Sequence, residues 1–237
     1  MKTVFSIARL LIACAVFLSS TLCVSAREEG DMPRWHVVVQ FGGPAFLPGE
    51  MESTLDPVHD AEYSKTRVGL ATGLGAAYFL TDHFGLGLRF DTSMITNSTH
   101  STIYYEGSLL SGPVEDNVNH LYVGPYASYR LYSRDKKNIV YFDGGLGLLD
   151  YGRWHIMGNK VKLMDARGYS LGGFIGVGYD RMITNHFAIG FSVAAVAGYC
   201  DSLTIISEEP FRRVSIDDER SRWLLSVPSF IGVRLFF

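Results

Sequence analysis

From Met32 to the end, the chain alternates large apolar residues with small or polar ones in runs that turn-forming residues separate. A period of two is the signature of a strand with two unlike faces. Eight such runs are read, at about 34–46, 66–80, 83–96, 119–133, 138–152, 168–182, 186–200 and 222–237. In the second, Val68, Leu70, Leu74, Ala76 and Tyr78 share one face, and Gly69, Ala71, Gly73, Gly75 and Ala77 the other. In the third, Phe84, Leu86, Leu88 and Phe90 alternate with Gly85, Gly87, Arg89 and Asp91. The last run places Trp223, Leu225, Val227, Ile231, Val233, Leu235 and Phe237 on one side. No run has a sustained helical period.

A barrel whose strands have one large apolar face can turn that face inward, in water, or outward, in lipid. The lysines decide for lipid. Lys65, Lys136, Lys137, Lys160 and Lys162 all fall in or beside expected turns and loops, whereas a soluble barrel sets lysines along its wet outer wall. Glycine on a water-facing wall would also weaken the strands for no gain, while inside a narrow barrel it leaves room for a few large side chains. The small face is therefore expected to tolerate substitution, at Gly85 for instance, better than the lipid face at Leu86 or Val177. Connections at 80–84, 134–138 and 183–187 are short and rich in Asp and Asn, whereas those at about 47–65, 97–118, 153–167 and 201–221 are long. Such alternation predicts an eight-stranded antiparallel up-and-down transmembrane β-barrel with short periplasmic turns and long extracellular loops. Pro113 and Pro210 are expected to keep their loops irregular.

The N-terminus changes the picture of where the chain goes. Lys2 and Arg9, the apolar run Leu10–Leu18 and the small-residue site Val24-Ser25-Ala26 read as a signal peptide over 1–26. A short segment, 27–33, then precedes the barrel at 34–237. Leu11-Ile12-Ala13-Cys14 spells a lipobox, but Arg9 interrupts the apolar run before it. Cleavage after Ala26 leaves Cys200 as the one cysteine, and a lone thiol makes no intrachain disulfide. The formal net charge of −3 gives no basic footprint for nucleic acid.

Aromatic residues recur near one end of successive runs: Trp35, Tyr78, Phe84, Tyr129, Phe142, Tyr179, Phe187 and Phe237. They would form a girdle at the periplasmic interface, with Tyr169, Tyr199 and Trp223 beginning the opposite one. The stretch from Gly73-Leu74-Gly75 to Leu86-Gly87-Leu88 is echoed from Gly176-Val177-Gly178 to Ile189-Gly190-Phe191, four strands later, so the turns at His83 and His186 are equivalent. The pattern Leu-Thr-Asp-His-Phe-Gly-Leu-Gly-Leu at 80–88 resembles small outer-membrane β-barrel proteins of the porin-like, OmpA/OmpX-like kind, the Bacteroidetes type in particular. The resemblance implies a bacterial outer-membrane location. It also implies that Val233, Leu235 and Phe237 form a C-terminal signal read by the barrel assembly machinery.

The candidate chemistry is sparse. With large apolar residues on lipid, Arg89, Asp91, Arg130, Asp143, Asp180 and Arg234 point into the lumen, beside Tyr122, Tyr126, Ser170 and Ser226. Three positive and three negative side chains can neutralise one another and plug the barrel, or can line a narrow path for small solutes. His36, His120 and His155 are nearest to strand ends and are the candidates for lipid-modifying chemistry with a serine and a carboxylate, but none lies in a recognisable motif. No catalytic residue, cofactor or metal site is assigned, because His-x-x-x-His and Cys-x-x-Cys spacings are absent. Glu50, Glu52, Asp56, Asp60 and Glu62 make the first long loop acidic, and 208–220 mixes both signs. The function expected is a non-enzymatic barrel presenting loops for surface binding, adhesion or envelope integrity. Its partners are membrane lipid, lipopolysaccharide and an extracellular ligand.

Overall fold

A computed structural model describes residues 33–46, 68–105, 108–157, 161–200, 204–206 and 222–237. Every regular element among them is a strand: β1 Trp35–Phe46, β2 Val68–Phe79, β3 Phe84–Tyr105, β4 Ser108–Tyr132, β5 Asn138–Met157, β6 Val161–Thr184, β7 Phe187–Cys200, β8 Thr204–Ile206 and β9 Arg222–Phe236. Each long strand pairs antiparallel with its neighbours in sequence, β7 pairs with β9, and β9 returns to β1 through Val39↔Val233. Eight strands thus close into a ring with no free edge within the wall, the arrangement that lets a sheet satisfy its backbone in lipid. The short β8 continues the line of β7 along the same edge of β6, pairing at Asp165–Arg167.

The alternation read from the sequence becomes an inside and an outside. Leu86, Leu88, Leu146, Leu148, Leu171, Ile175 and Ile231 are exposed, Leu171 at 80%, while the residues between them turn inward. Trp35, Phe84, Tyr129 and Phe142 ring the outer wall at the end that holds the short turns, and Tyr169 and Tyr199 are exposed at the other. The apolar wall stops where polar groups appear on the same face. Thr92 donates to Asn119 at 3.3 Å and Thr96 to Asn117 at 2.8 Å, and Asp150 is half-buried beside Tyr169. The stretches Phe142–Asp150 and Tyr129–Asn119 have the length, ~9–11 residues, that a tilted strand needs to cross a bilayer.

Two expectations are corrected above that boundary. The connections at 97–118 and 153–167 are not irregular loops. β3 and β4 stay paired out to Tyr105↔Ser108, and β5 and β6 out to Met157↔Val161, with a register shift at His155/Ile156. Pro113 lies within β4, opposite His100. It is tolerated there because β5 has ended by Val114↔Met157, so no third strand needs its missing N–H. The connection at 47–65, its five acidic residues, Pro210, most of 201–221 and the expected signal peptide with Cys14 lie outside the described residues.

The inner face also differs from the small or polar surface expected. Phe79, Ile139, Tyr141, Leu149, Phe174 and Phe236 all point inward and are buried. A ring of eight strands encloses a volume that side chains must fill, and small residues alone cannot fill it. The inward glycines are the complement of these bulky groups. A Cβ at Gly145 would stand 3.0 Å from the Phe174 ring, and one at Gly198 would stand 2.5 Å from the Leu149 side chain. At Gly85 it would meet the Phe79 ring at 3.1 Å and the Tyr78 carbonyl at 3.0 Å. A side chain at Gly85 therefore needs these neighbours to give by a few tenths of an ångström.

Candidate functional site

The lumen is layered, and the periplasmic rim sets the base. His83 and His186 sit in the matching turns after β2 and β6. In each, the backbone N–H bonds to a threonine hydroxyl two residues earlier, Thr81 or Thr184. Each ring then donates from Nδ1 to a carbonyl of the adjoining strand, Arg130 at 2.9 Å and Phe236 at 3.0 Å. The same two histidine residues accept from those strands through the backbone, Arg130 N–H to His83 at 2.8 Å and Phe236 N–H to His186 at 2.9 Å. In the third turn, Ser133 and the Lys137 N–H both donate to Asp135, and these bonds hold its carboxyl below the usual carboxylate range.

Arg130 closes this end. Its guanidinium lies 3.7 Å over the centre of Phe79 and donates to the carbonyls of Asp82, at 2.6 Å, and Pro33, at 3.0 Å. His36 is buried just inside, its ring edge-on to Phe79, Tyr141 and Phe236, and it shares a 3.0 Å hydrogen bond with the Tyr126 hydroxyl. Arg234 lies 3.5 Å over Tyr141 and 3.1 Å from Asp180.

The middle layer is built on Arg89. Its Nε donates to Asp91 at 2.6 Å, one Nη reaches Asp143 at 3.5 Å and the other reaches Gln40 at 3.3 Å. The guanidinium faces Phe174 at 4.7 Å, and Gln40 passes the network on to Ser192 at 2.9 Å. Strand register explains the meeting. Gln40 pairs with Gly73, Gly73 with Asp91, and Arg89 with Gly75 and Gly124, so glycines flank the long side chains and leave them room.

Of the six charged residues singled out in the sequence, the structure brings Arg89, Asp91 and Asp143 into one network and Asp180 and Arg234 into a second. Arg130 stands apart at the rim. Tyr122, Tyr126 and Ser226 are buried inside, while Ser170 is half-buried and donates to the Leu171 carbonyl. His36 and His120 are buried within the lumen, His120 edge-on to Tyr151, and not on the lipid-facing rim where acyl-chain chemistry would occur. His155 falls at the bulge between β5 and β6.

A third layer was missed by sequence reasoning. Above the apolar wall, Arg153 on β5 clamps Asp116 on β4 with two 3.0 Å hydrogen bonds, and both residues are buried. The signal was present in the alternation Asp116, Val118, His120, Tyr122, which continues the inward face of β4 beyond the expected strand end. Gln40 and Ser192 were also missed, being uncharged.

No protein-family model matches the chain, and no curated protein matches its sequence. Solved structures do resemble it. Neisserial surface protein A shares 15% identity at a TM-score of 0.49, over 86% of this chain and 97% of its own. The outer membrane protease OmpT from Escherichia coli shares 10% at 0.46, over 92% and 100%. The attachment invasion locus protein Ail of Yersinia pestis, in complex with the heparin analogue sucrose octasulfate, shares 10% at 0.44, over 86% and 99%. At these scores the likenesses carry no functional argument. The closed antiparallel ring, the apolar outer belt with its aromatic margins and the filled interior make this chain an eight-stranded outer-membrane-type β-barrel.

Proposed function

We propose that the protein is a non-enzymatic barrel of the bacterial outer membrane whose lumen is closed and whose work is done by the segments it holds above the membrane, in surface binding, adhesion or envelope integrity. One observation carries this reading. The largest fully buried side chains, among them Arg130, Arg153, Tyr122, Tyr141, Phe79, Phe236 and Leu149, all project into the lumen and occupy it from rim to rim. The extracellular extensions of β3–β4 and β5–β6 support it, because strand pairing beyond the bilayer raises a rigid platform rather than a frayed loop. Membrane lipid and lipopolysaccharide are the partners of the outer wall, and an extracellular ligand is the partner of the platform. The assembly machinery would read Val233, Leu235 and Phe237, which face outward on the closing strand.

A narrow diffusion channel is the second reading, favoured by buried polar atoms that lack a hydrogen-bond partner, such as Asp91 Oδ1, Asp143 Oδ1 and the Tyr122 and Tyr141 hydroxyls. Single-channel recording of the refolded protein in a planar bilayer separates the two. A heat-dependent shift on a denaturing gel first establishes that a barrel has formed. A folded, inserted and silent protein supports the closed barrel, and discrete ion-selective openings refute it.

A further inference from the structure

The charged residues draw attention as the plug, but the layers above and below them are apolar. On the extracellular side, Ala71, Tyr122, Leu149, Phe174 and Val196 converge with exposures between 0% and 4%. Tyr122 lies opposite both Asp91 and Leu149, and its ring meets Phe174 at 5.3 Å. Leu149 reaches across two strands, since Cβ atoms at Gly172 on β6 and Gly198 on β7 would both run into it, at 3.1 and 2.5 Å. This collar separates the Arg89 network from the Arg153–Asp116 clamp above. On the periplasmic side, Phe79, Ile139, Ala188 and Phe236 form a floor, each 0% exposed, with the Arg130 guanidinium stacked on Phe79 at the rim.

We propose that these two apolar seals, and not the ion pairs between them, are the barrier that closes the barrel, with the charged layer enclosed as a polar chamber reached from neither side. This rests on the closed-lumen reading and locates the closure within it. Physical chemistry favours the assignment. A charged layer attracts water and ions through the field of its own groups, and its side chains can swing aside while staying hydrated. An apolar constriction resists wetting, so an ion crossing it must shed its hydration with nothing in return. The Oδ1 atoms of Asp91 and Asp143, buried and without a partner, belong to the chamber and are the polar groups to which a water there would bind.

The test is chemical access to a cysteine placed in the chamber. Ser192→Cys is made in a background where Cys14, Cys23 and Cys200 are serine. The protein is reconstituted in vesicles with known orientation and treated with a small, charged, membrane-impermeant methanethiosulfonate. Ser192→Cys alone is expected to be protected. Adding Leu149→Ala should speed modification on the order of a hundredfold from the extracellular side only. Adding Phe79→Ala should do the same from the periplasmic side only. Val196→Ser serves as a second collar variant if Leu149→Ala does not fold. The inference falls if Arg89→Gln admits the reagent while the seal variants leave the thiol protected. It falls equally if Ser192→Cys alone reacts freely. In that last case, conductance of the parent protein decides the rest: a silent parent leaves the closed barrel standing, and a conducting one removes both readings.

Discussion

Arg89 offers the sharpest quantitative test of the lumen. Replacing it with methionine keeps much of the stem volume and removes the guanidinium that holds Asp91 at 2.6 Å and Asp143 at 3.5 Å. Two carboxylates that are 3% and 10% exposed then share a buried layer with their main counter-ion gone. Leaving a buried charge without its partner typically costs about 3–5 kcal/mol. Facing Phe174, a lost cation–π contact adds ~1 kcal/mol. At ~1.4 kcal/mol per decade, the folded-to-unfolded ratio should drop by at least about two decades. Urea titration of the refolded barrel in micelles, followed by the heat-dependent gel shift, measures this as a change in midpoint at constant slope. The physical claim is that the cost comes from stranded charge, so Arg89→Met combined with Asp91→Asn and Asp143→Asn should recover most of the loss. A single variant within ~1 kcal/mol of the parent, or a triple variant worse than the single, would refute the reasoning.

Three other outcomes follow from the wall and the rim. Arginine at Leu88 or Ile175, on the exposed mid-belt face, should cost ~2–4 kcal/mol in a bilayer; equilibrium folding into vesicles checks it, and a near-neutral result would count against a lipid-facing wall. His83→Ala and His186→Ala should each lose roughly 1 kcal/mol, by similar amounts, because both rings make the same bond to the next strand; unequal losses in a denaturant titration would show that the turns are not equivalent. Deleting Phe237 removes both backbone bonds it exchanges with Trp35, at 3.0 and 3.1 Å. Membrane assembly should drop, and a normal yield of heat-modifiable barrel in cell envelopes would count against a terminal signal.

The transmembrane part of the fold was legible because lipid imposes one chemistry on every outward position. Leu86, Leu88, Ile175 and Val177 could be placed outside without knowing their neighbours. Above the bilayer that constraint ends. Thr96, Ser98, Asn117 and Glu115 face outward there, while Asn97 and Asp116 face inward, so both faces are polar and the strands look like loops. The large inner residues were hidden for a different reason. Phe79 lies between Tyr78 and Leu80, and Phe236 beside Phe237, so the alternation dissolves into short apolar runs near the rim. Charges inside the lumen were visible as types. Their pairing was not, because Arg89 and Asp143 lie 54 residues apart and meet through the curvature of the ring.

The closing seam has a consequence for the identity of the chain ends. Trp35 and Phe237 exchange backbone hydrogen bonds at the periplasmic rim, where the turn at 133–137 lies four strands away around the ring. The hydrogen-bonded wall is a closed circle, and the covalent chain is open at one of its eight seams. A short linker from Phe237 to Pro33, with new termini opened at Lys136, the one described non-glycine residue with a left-handed backbone, would make a circular permutant that keeps the wall and the carbonyls on which Arg130 and Phe79 rest. Its last-made strand would then be β4, which carries a different sequence into the position that now ends in Phe237.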